Sequence, residues 1–236
     1  MIRAQAMILA AGRGERMRPL TDSCPKPLLQ VRGKPLMEYH LDAFGRGGFH
    51  DVVVNTAWLG EQIEDRFGPK TDSGVRVAYS HEGRDFGGAL ETAGGIARAL
   101  PLLDDVFWIV AGDVHMPQFP FTRAAYDRFA AGDKLAHIVL VPNPEHNPAG
   151  DFGLDPDGLA RNTADVRHTY STTGLFRRAL FDSIPAGNPQ GLKVKLAPLL
   201  RQAMDRRLVT AELYEGPWTD VGTPERLRAL DEGRTA

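Results

Sequence analysis

A chain of 236 residues, 42% hydrophobic and 25% charged, can bury a sizeable core and suits one large α/β domain or two small ones. Its net charge of −2 argues against a nucleic-acid or anionic-membrane partner, and no apolar run approaches the roughly 20 residues that span a bilayer. The N-terminus lacks the basic and apolar regions of a signal peptide, and the single cysteine, Cys24, permits no intramolecular disulfide, so a cytoplasmic setting is expected.

No Ser/Pro-rich linker, low-complexity tract or internal repeat divides the chain, and one domain over residues 1–236 is expected. The first element is an apolar strand, Ala6 to Leu9, that ends in small residues and in Gly12 and Gly14. Glycines there let the N–H groups of Gly12 to Glu15 turn inward as an anion nest. Arg13, Arg16, Arg18 and Lys26 outweigh Glu15 and Asp22, so the guest is expected to be a polyphosphate. Neither familiar phosphate loop fits. The dinucleotide fingerprint fails at Met17 and Pro19, where a glycine and a helix are required, and the Gly-x-x-x-x-Gly-Lys-Ser/Thr string is absent.

A short strand over Leu28 to Val31 precedes a helix from Pro35 to Arg46, with His40 on its apolar stripe as a packed histidine. Asp51 to Thr56 and Val75 to Ser80 read as strands either side of a helix from Trp58 to Phe67. Alternation of this kind predicts a parallel sheet covered on both faces, with ligands beyond the carboxyl ends of the strands. The next helix opens at Leu90 with Thr92, Gly94 and Gly95. Bare N–H groups there suit a base or a phosphate, or else the glycines ease helix packing. Val106 to Gly112 reads as a central strand whose tip carries Asp113, placed to hold a divalent cation such as Mg²⁺ with phosphate oxygens. His115 has no partner at ligand spacing and reads as a supporting or surface residue. There follow a helix over Phe121 to Ala131, a strand over Ala136 to Val141, an irregular loop over Asn143 to Gly150, a helix over Val194 to Arg206 and a strand over Leu208 to Glu215. Thr223 and Pro224 then read as N-cap and first-turn residue of a last helix.

Leu-Ala-Ala-Gly-Arg-Gly-Glu-Arg-Met-Arg-Pro-Leu-Thr at 9–21, Pro-Lys-Pro-Leu at 25–28, Leu-Glu-Thr-Ala-Gly at 90–94, Gly-Asp at 112–113 and Trp-Thr-Asp-Val-Gly-Thr-Pro-Glu at 218–225 together resemble the sugar-1-phosphate nucleotidyltransferases. Lys-Leu-Ala-Pro-Leu-Leu at 195–200 is similar to the subset that acts on N-acetylmuramate 1-phosphate in cell-wall recycling. The resemblance implies a three-layer, Rossmann-like α/β fold with a mostly parallel central sheet and no C-terminal hexapeptide-repeat domain. It implies transfer of UMP from UTP to N-acetylmuramic acid 1-phosphate with release of pyrophosphate, by a monomer or small homo-oligomer.

Carried onto this chain, it puts Ala11, Gly12, Gly14, Glu15, Arg16, Thr92 and Gly94 on the nucleotide. Lys26 and Arg16 become the catalytic cations, and Asp113 and Asp220 the Mg²⁺ ligands. Gly150, Asp151, Thr173 and Gly174 fall on the sugar and Lys195 on its phosphate. Two departures accompany it: Arg84 to Ala89 looks a few residues longer, and Ala111 stands where relatives often carry Asn. Within the same class, the alternative is a mannose- or glucose-1-phosphate transferase using GTP or dTTP. From another class, it is a non-catalytic nucleotide or sugar sensor on the same fold.

Overall fold

β-Branched and apolar runs too short for helices form the strands at the centre of the structure, a computed structural model that describes residues 3–233. They are β1 (Ala4–Leu9), β2 (Asp51–Thr56), β3 (Arg76–His81), β4 (Leu103–Ala111), β5 (Ala136–Val141), β6 (Thr169–Arg177) and β7 (Val209–Leu213). The order across the seven-stranded sheet is β7-β5-β6-β4-β1-β2-β3. β6 runs antiparallel to both its neighbours, and every other pairing is parallel.

Because successive side chains leave a strand on opposite faces, β1 and β4 each feed two cores. Met7, Phe107 and Ile109 pack against α3 (Glu91–Ala99) and α5 (Leu196–Asp205). Ile8, Trp108 and Val110 pack on the other face against α1 (Leu36–Arg46), α2 (Gly60–Phe67) and α4 (Arg123–Ala130). Each such large apolar side chain contributes about 1.5–3 kcal/mol on burial. The sheet is thus the middle of three layers, as expected. A third cluster, with Met17, Val31, Leu36, Val221 and Leu230, joins the first loop to the last helix, α6 (Pro224–Asp231). Among the described residues no helix is long and apolar enough to cross a membrane.

The chain runs outward from β1 through β2 to β3, then returns to place β4 on the other side of β1. The crevice beyond the carboxyl ends of β1 and β4 is therefore the topological switch point, where ligands bind in open α/β sheets.

Several expected boundaries move. Leu28 to Val31 is a strand only over Gln30–Val31, because Lys26–Leu28 winds into a 3₁₀ turn. Pro35 and Leu59 cap the helices they were expected to enter. β6 is the element that hydrophobic alternation did not reveal. Its register shifts between Tyr170 and Thr173, and Thr172 takes a positive φ of 61° there. Such a bulge disrupts the two-residue period.

Candidate active site

β1 delivers its last residues into the crevice, and the loop that follows is braced from three sides. The Ala10 N–H donates to Asn55 Oδ1 at the end of β2, 2.8 Å away. Arg13 donates to the Thr21 carbonyl at 2.7 Å and to Asp22 at 2.8 Å, and stacks 3.8 Å from the Trp58 ring. Trp58 Nε1 donates to the same Thr21 carbonyl at 2.9 Å. Arg18 pairs with Asp22 at 2.8 Å, and Arg13 beside Asp22 holds that carboxyl below its usual range. Two of the four cations are thus spent on the loop itself. Arg16 is exposed and enters no ion pair among the described residues, while Glu15 leans outward toward Arg13 and Arg18.

The fourth cation points inward. Lys26, pinned between Pro25 and Pro27, is 7% exposed, and its Nζ lies 2.5 Å from Asp113 Oδ2. Asp113 lies one residue beyond β4, after Gly112, and its carbonyl accepts from Val221 N at 3.2 Å. A short antiparallel ladder of Thr219–Asp220 on Val114–His115 pairs Asp220 with Val114, the residue after Asp113, from more than a hundred residues away in sequence. Asp220 Oδ2 accepts from Arg226 Nη1 at 2.9 Å and lies 3.5 Å from His146 Nε2.

Beside Lys26 and Asp113 opens a cavity of about 580 Å³, within the range of small-molecule sites, and Asp220, held by Arg226, does not line it. Of the expected site residues, Ala11, Gly12, Lys26, Thr92, Asp113 and Lys195 line it. Nothing lies within 4 Å of where a Cβ on Gly12 would sit, so that atom would point into space left for a guest.

The remaining expected site residues lie off the cavity wall. Gly14, Glu15 and Arg16 form the outer turn of the loop. Gly94 answers to packing, since its N–H and that of Ala93 both donate to the Val194 carbonyl at 3.0 and 2.9 Å. A Cβ there would fall 2.4 Å from Leu192 O. This α3 start is therefore less bare than expected. Asp151 spends Oδ2 on the N–H of Tyr170 at 2.8 Å and on Asn147 at 3.2 Å, and Gly150 packs on the Arg167 backbone with a φ of 62°. Thr173 is fully buried with its hydroxyl on Met116, and Gly174 packs against the His137 carbonyl. The β6 bulge turns Thr172 toward the cavity instead.

Phe152, Tyr170, Asn55 and Glu82 also line the cavity and escaped the sequence reading. For Asn55 a signal existed: an amide at the carboxyl end of an apolar strand has no packing role of its own. His40 is a packed histidine as expected, fully buried with Nε2 donating to Val114 O at 2.9 Å and its pKa driven down to about 4 by burial.

The nucleotidyl transferase family model matches residues 5–234. This chain belongs to that family. The transferase is 49% identical to an N-acetylmuramate alpha-1-phosphate uridylyltransferase of Neisseria meningitidis serogroup B, over 95% of each chain. It is 31% identical to another of that name from Caulobacter vibrioides, over 96% of this chain and 95% of that one. A Bacillus anthracis protein described as a glucose-1-phosphate thymidylyltransferase, solved with sucrose, superposes with a TM-score of 0.79 at 16% identity. It covers 98% of this chain and 94% of its own, and shows the shared fold.

In the transferase the acidic groups suit a cation that arrives with its ligands. No cluster of three or more His, Cys, Asp or Glu that could hold a metal exists among the described residues, so a closed protein cage is absent. Asp113 and Asp220, set on adjoining short strands, are the carboxylates that could offer one or two oxygens to a divalent ion whose shell phosphate oxygens and water would complete.

Proposed function

We propose that the transferase moves UMP from UTP to N-acetylmuramic acid α-1-phosphate, giving the UDP-sugar and pyrophosphate. The observation that carries the reaction class is the part-buried Lys26–Asp113 pair beside Gly12 at the mouth of β1 and β4. The choice of base and sugar rests on likeness to the Neisseria and Caulobacter uridylyltransferases along almost the whole of both chains.

The chemistry asks the protein for position and charge. An oxygen of the sugar phosphate forms a bond to the α-phosphorus, the bond to the bridging oxygen breaks, and its electron pair leaves with pyrophosphate. No general base is needed, because a phosphate monoester is already anionic. Lys26, held by two prolines and by Asp113, is the cation that in this reading bridges the incoming phosphate and the α-phosphate. One such charge at 4 Å and an effective dielectric near 20 contributes roughly 4 kcal/mol. The amides near Gly12, and Arg16 swinging in from the loop, neutralise the departing pyrophosphate. Asp113 and Asp220 are the residues that would hold Mg²⁺, which supplies further neutralising charge on the phosphate oxygens when bound. Of the cavity-lining residues, this reading gives Thr92 to the nucleoside and Lys195, exposed at the start of α5, to the sugar phosphate.

The test is pyrophosphate release with four nucleoside triphosphates against N-acetylmuramate, glucose and mannose 1-phosphates, with Mg²⁺ and then with EDTA. The reading predicts that UTP with N-acetylmuramate 1-phosphate exceeds every other pairing at least tenfold in kcat/KM and that EDTA abolishes it. Preference for GTP with mannose 1-phosphate would move the substrate assignment. UTP binding with no pyrophosphate release would make the protein a sensor.

A further inference from the structure

A chain of four groups runs beneath the cavity, and backbone chemistry fixes the direction of every bond in it. The Ala10 N–H can only donate, so the Asn55 atom facing it at 2.8 Å is the carbonyl oxygen. The Asn55 amide nitrogen therefore faces the other way and donates to Glu82 Oε1 at 2.5 Å. At the far end the Leu90 N–H, again only a donor, meets Glu82 Oε2 at 2.7 Å. A run that begins and ends on a donor needs one member that accepts on both sides. Among side chains of this length a carboxylate does so without a proton to place.

The pair is deeply set, with Asn55 3% and Glu82 0% exposed. It sits directly on α3: a Cβ at Gly95 would fall 2.4 Å from Glu82 Oε1 and 2.9 Å from Asn55 Nδ2. Gly95 is thus the gap that admits the pair. Burial pushes the Glu82 carboxyl up, while the bonds from Leu90 and Asn55 pull it back. A negative charge bordering a site for a triphosphate weakens anion binding by simple electrostatics. Its presence there calls for another benefit.

We infer that Asn55 and Glu82 are a positioning pair that fixes the spacing between the loop after β1 and the first turn of α3, and so sets the width of the slot for the nucleotide. One bond of the chain holds Ala10, next to Ala11 and Gly12 on the phosphate side. The other holds Leu90, two residues before Thr92 on the nucleoside side. Neither residue needs to touch substrate, and the pair acts through these two backbone anchors. The inference rests on the placement of the nucleotide given above and goes beyond it in naming what shapes that site.

The test reverses the polarity of the central bond. Glu82→Gln puts an amide against the Asn55 amide or the Leu90 N–H, which leaves two donors facing. Asn55→Asp puts two carboxylates together. In the double variant the new carboxylate at 55 accepts from Ala10 and from the new amide at 82, whose carbonyl accepts from Leu90, so every bond is restored. KM for UTP, kcat and melting temperature are measured for all four proteins. Each single substitution is expected to raise KM at least tenfold with kcat changed less than threefold, and the double variant to return KM to within threefold of the parent.

A purely electrostatic role predicts instead that Glu82→Gln lowers KM, and that result overturns the inference. A folded double variant with KM still raised overturns it too, as does a double variant that fails to fold, because the swap leaves no bond unmade. If a single variant unfolds, the double variant is read directly against the parent. A parent that turns over another nucleoside triphosphate in place of UTP changes the base assigned above, and the same series is then read on that nucleotide.

Discussion

Gly12 and Gly14 stand two positions apart and answer to different demands. Gly14 has a φ of 67°, and a Cβ there would crowd Thr21 at 3.0 Å, so the protein's own backbone requires glycine. Gly12 has an ordinary φ and open space around it, so what requires glycine there is whatever enters the cavity. Gly12→Ala is therefore expected to leave the melting temperature within about 2 °C, the scale of roughly 0.5 kcal/mol in a chain of this size, while raising KM for the nucleotide at least tenfold. Gly14→Ala is expected to lower the melting temperature, and a thermal shift series on the two variants separates the cases.

The same scale holds His40. Its folded pKa of about 4 lies below the 6.5 of an unperturbed ring, so between these values the unfolded chain binds more protons than the folded one. Stability is then full above pH 6.5 and falls as pH drops toward 4. The loss from this one ring between pH 7 and pH 5 is on the order of 2 kcal/mol. Denaturant titrations at the two pH values, on the parent and on His40→Gln, should show a smaller pH difference in the variant. An equal difference would remove His40 from the acid response.

Among elements, α6 matters beyond its length. Thr223 Oγ1 accepts from the Arg226 N–H at 3.3 Å as N-cap, and Pro224 fills the first turn, both as the sequence indicated. Arg226, fixed in that first turn, grips Asp220 through both its carboxylate and its carbonyl. Thr223→Ala should cost about 1 kcal/mol, or 2–4 °C in melting temperature, and Thr223→Ser should recover most of it. No change in the alanine variant would mean the cap contributes nothing.

Elements whose periodicity is clean were legible in the chain: β2 and β5 fall where apolar runs put them, with Asp51–Thr56 and Ala136–Val141 unchanged. β6 was not, because Tyr170 to Thr173 carries a bulge inside a run of hydroxyl residues, and the sheet around it supplies the pairing that local pattern lacks. The slip from Thr173 to Thr172 at the cavity follows from that bulge, since one residue reverses which face a side chain takes. For the glycines after Leu90 packing is what the surroundings show, because segment 192–194 lies against Gly94, and Glu82 and Asn55 against Gly95, in contacts no local motif reports.

At the scale of the molecule, the doubly wound topology brings together groups that sequence separates. β1 and β4 are neighbours although β2 and β3 intervene in the chain, so the glycine loop and Asp113 share one crevice. The ladder at Val114 then adds Asp220 from the C-terminal part. The motifs named the participants, and fold-level reasoning named the edge of the sheet. Asn55 left a signal in the sequence, whereas Glu82, Trp58 and Arg226 reach the loop, Asn55 and Asp220 through contacts that no local motif shows. Lys26 is the cation that lines that crevice beside Asp113.

The most direct test is the turnover of Lys26→Ala, read as pyrophosphate release from UTP and N-acetylmuramate 1-phosphate with Mg²⁺ and paired with its melting curve. The account predicts a fall of at least a hundredfold in a protein that still folds. Turnover within threefold of the parent would contradict it.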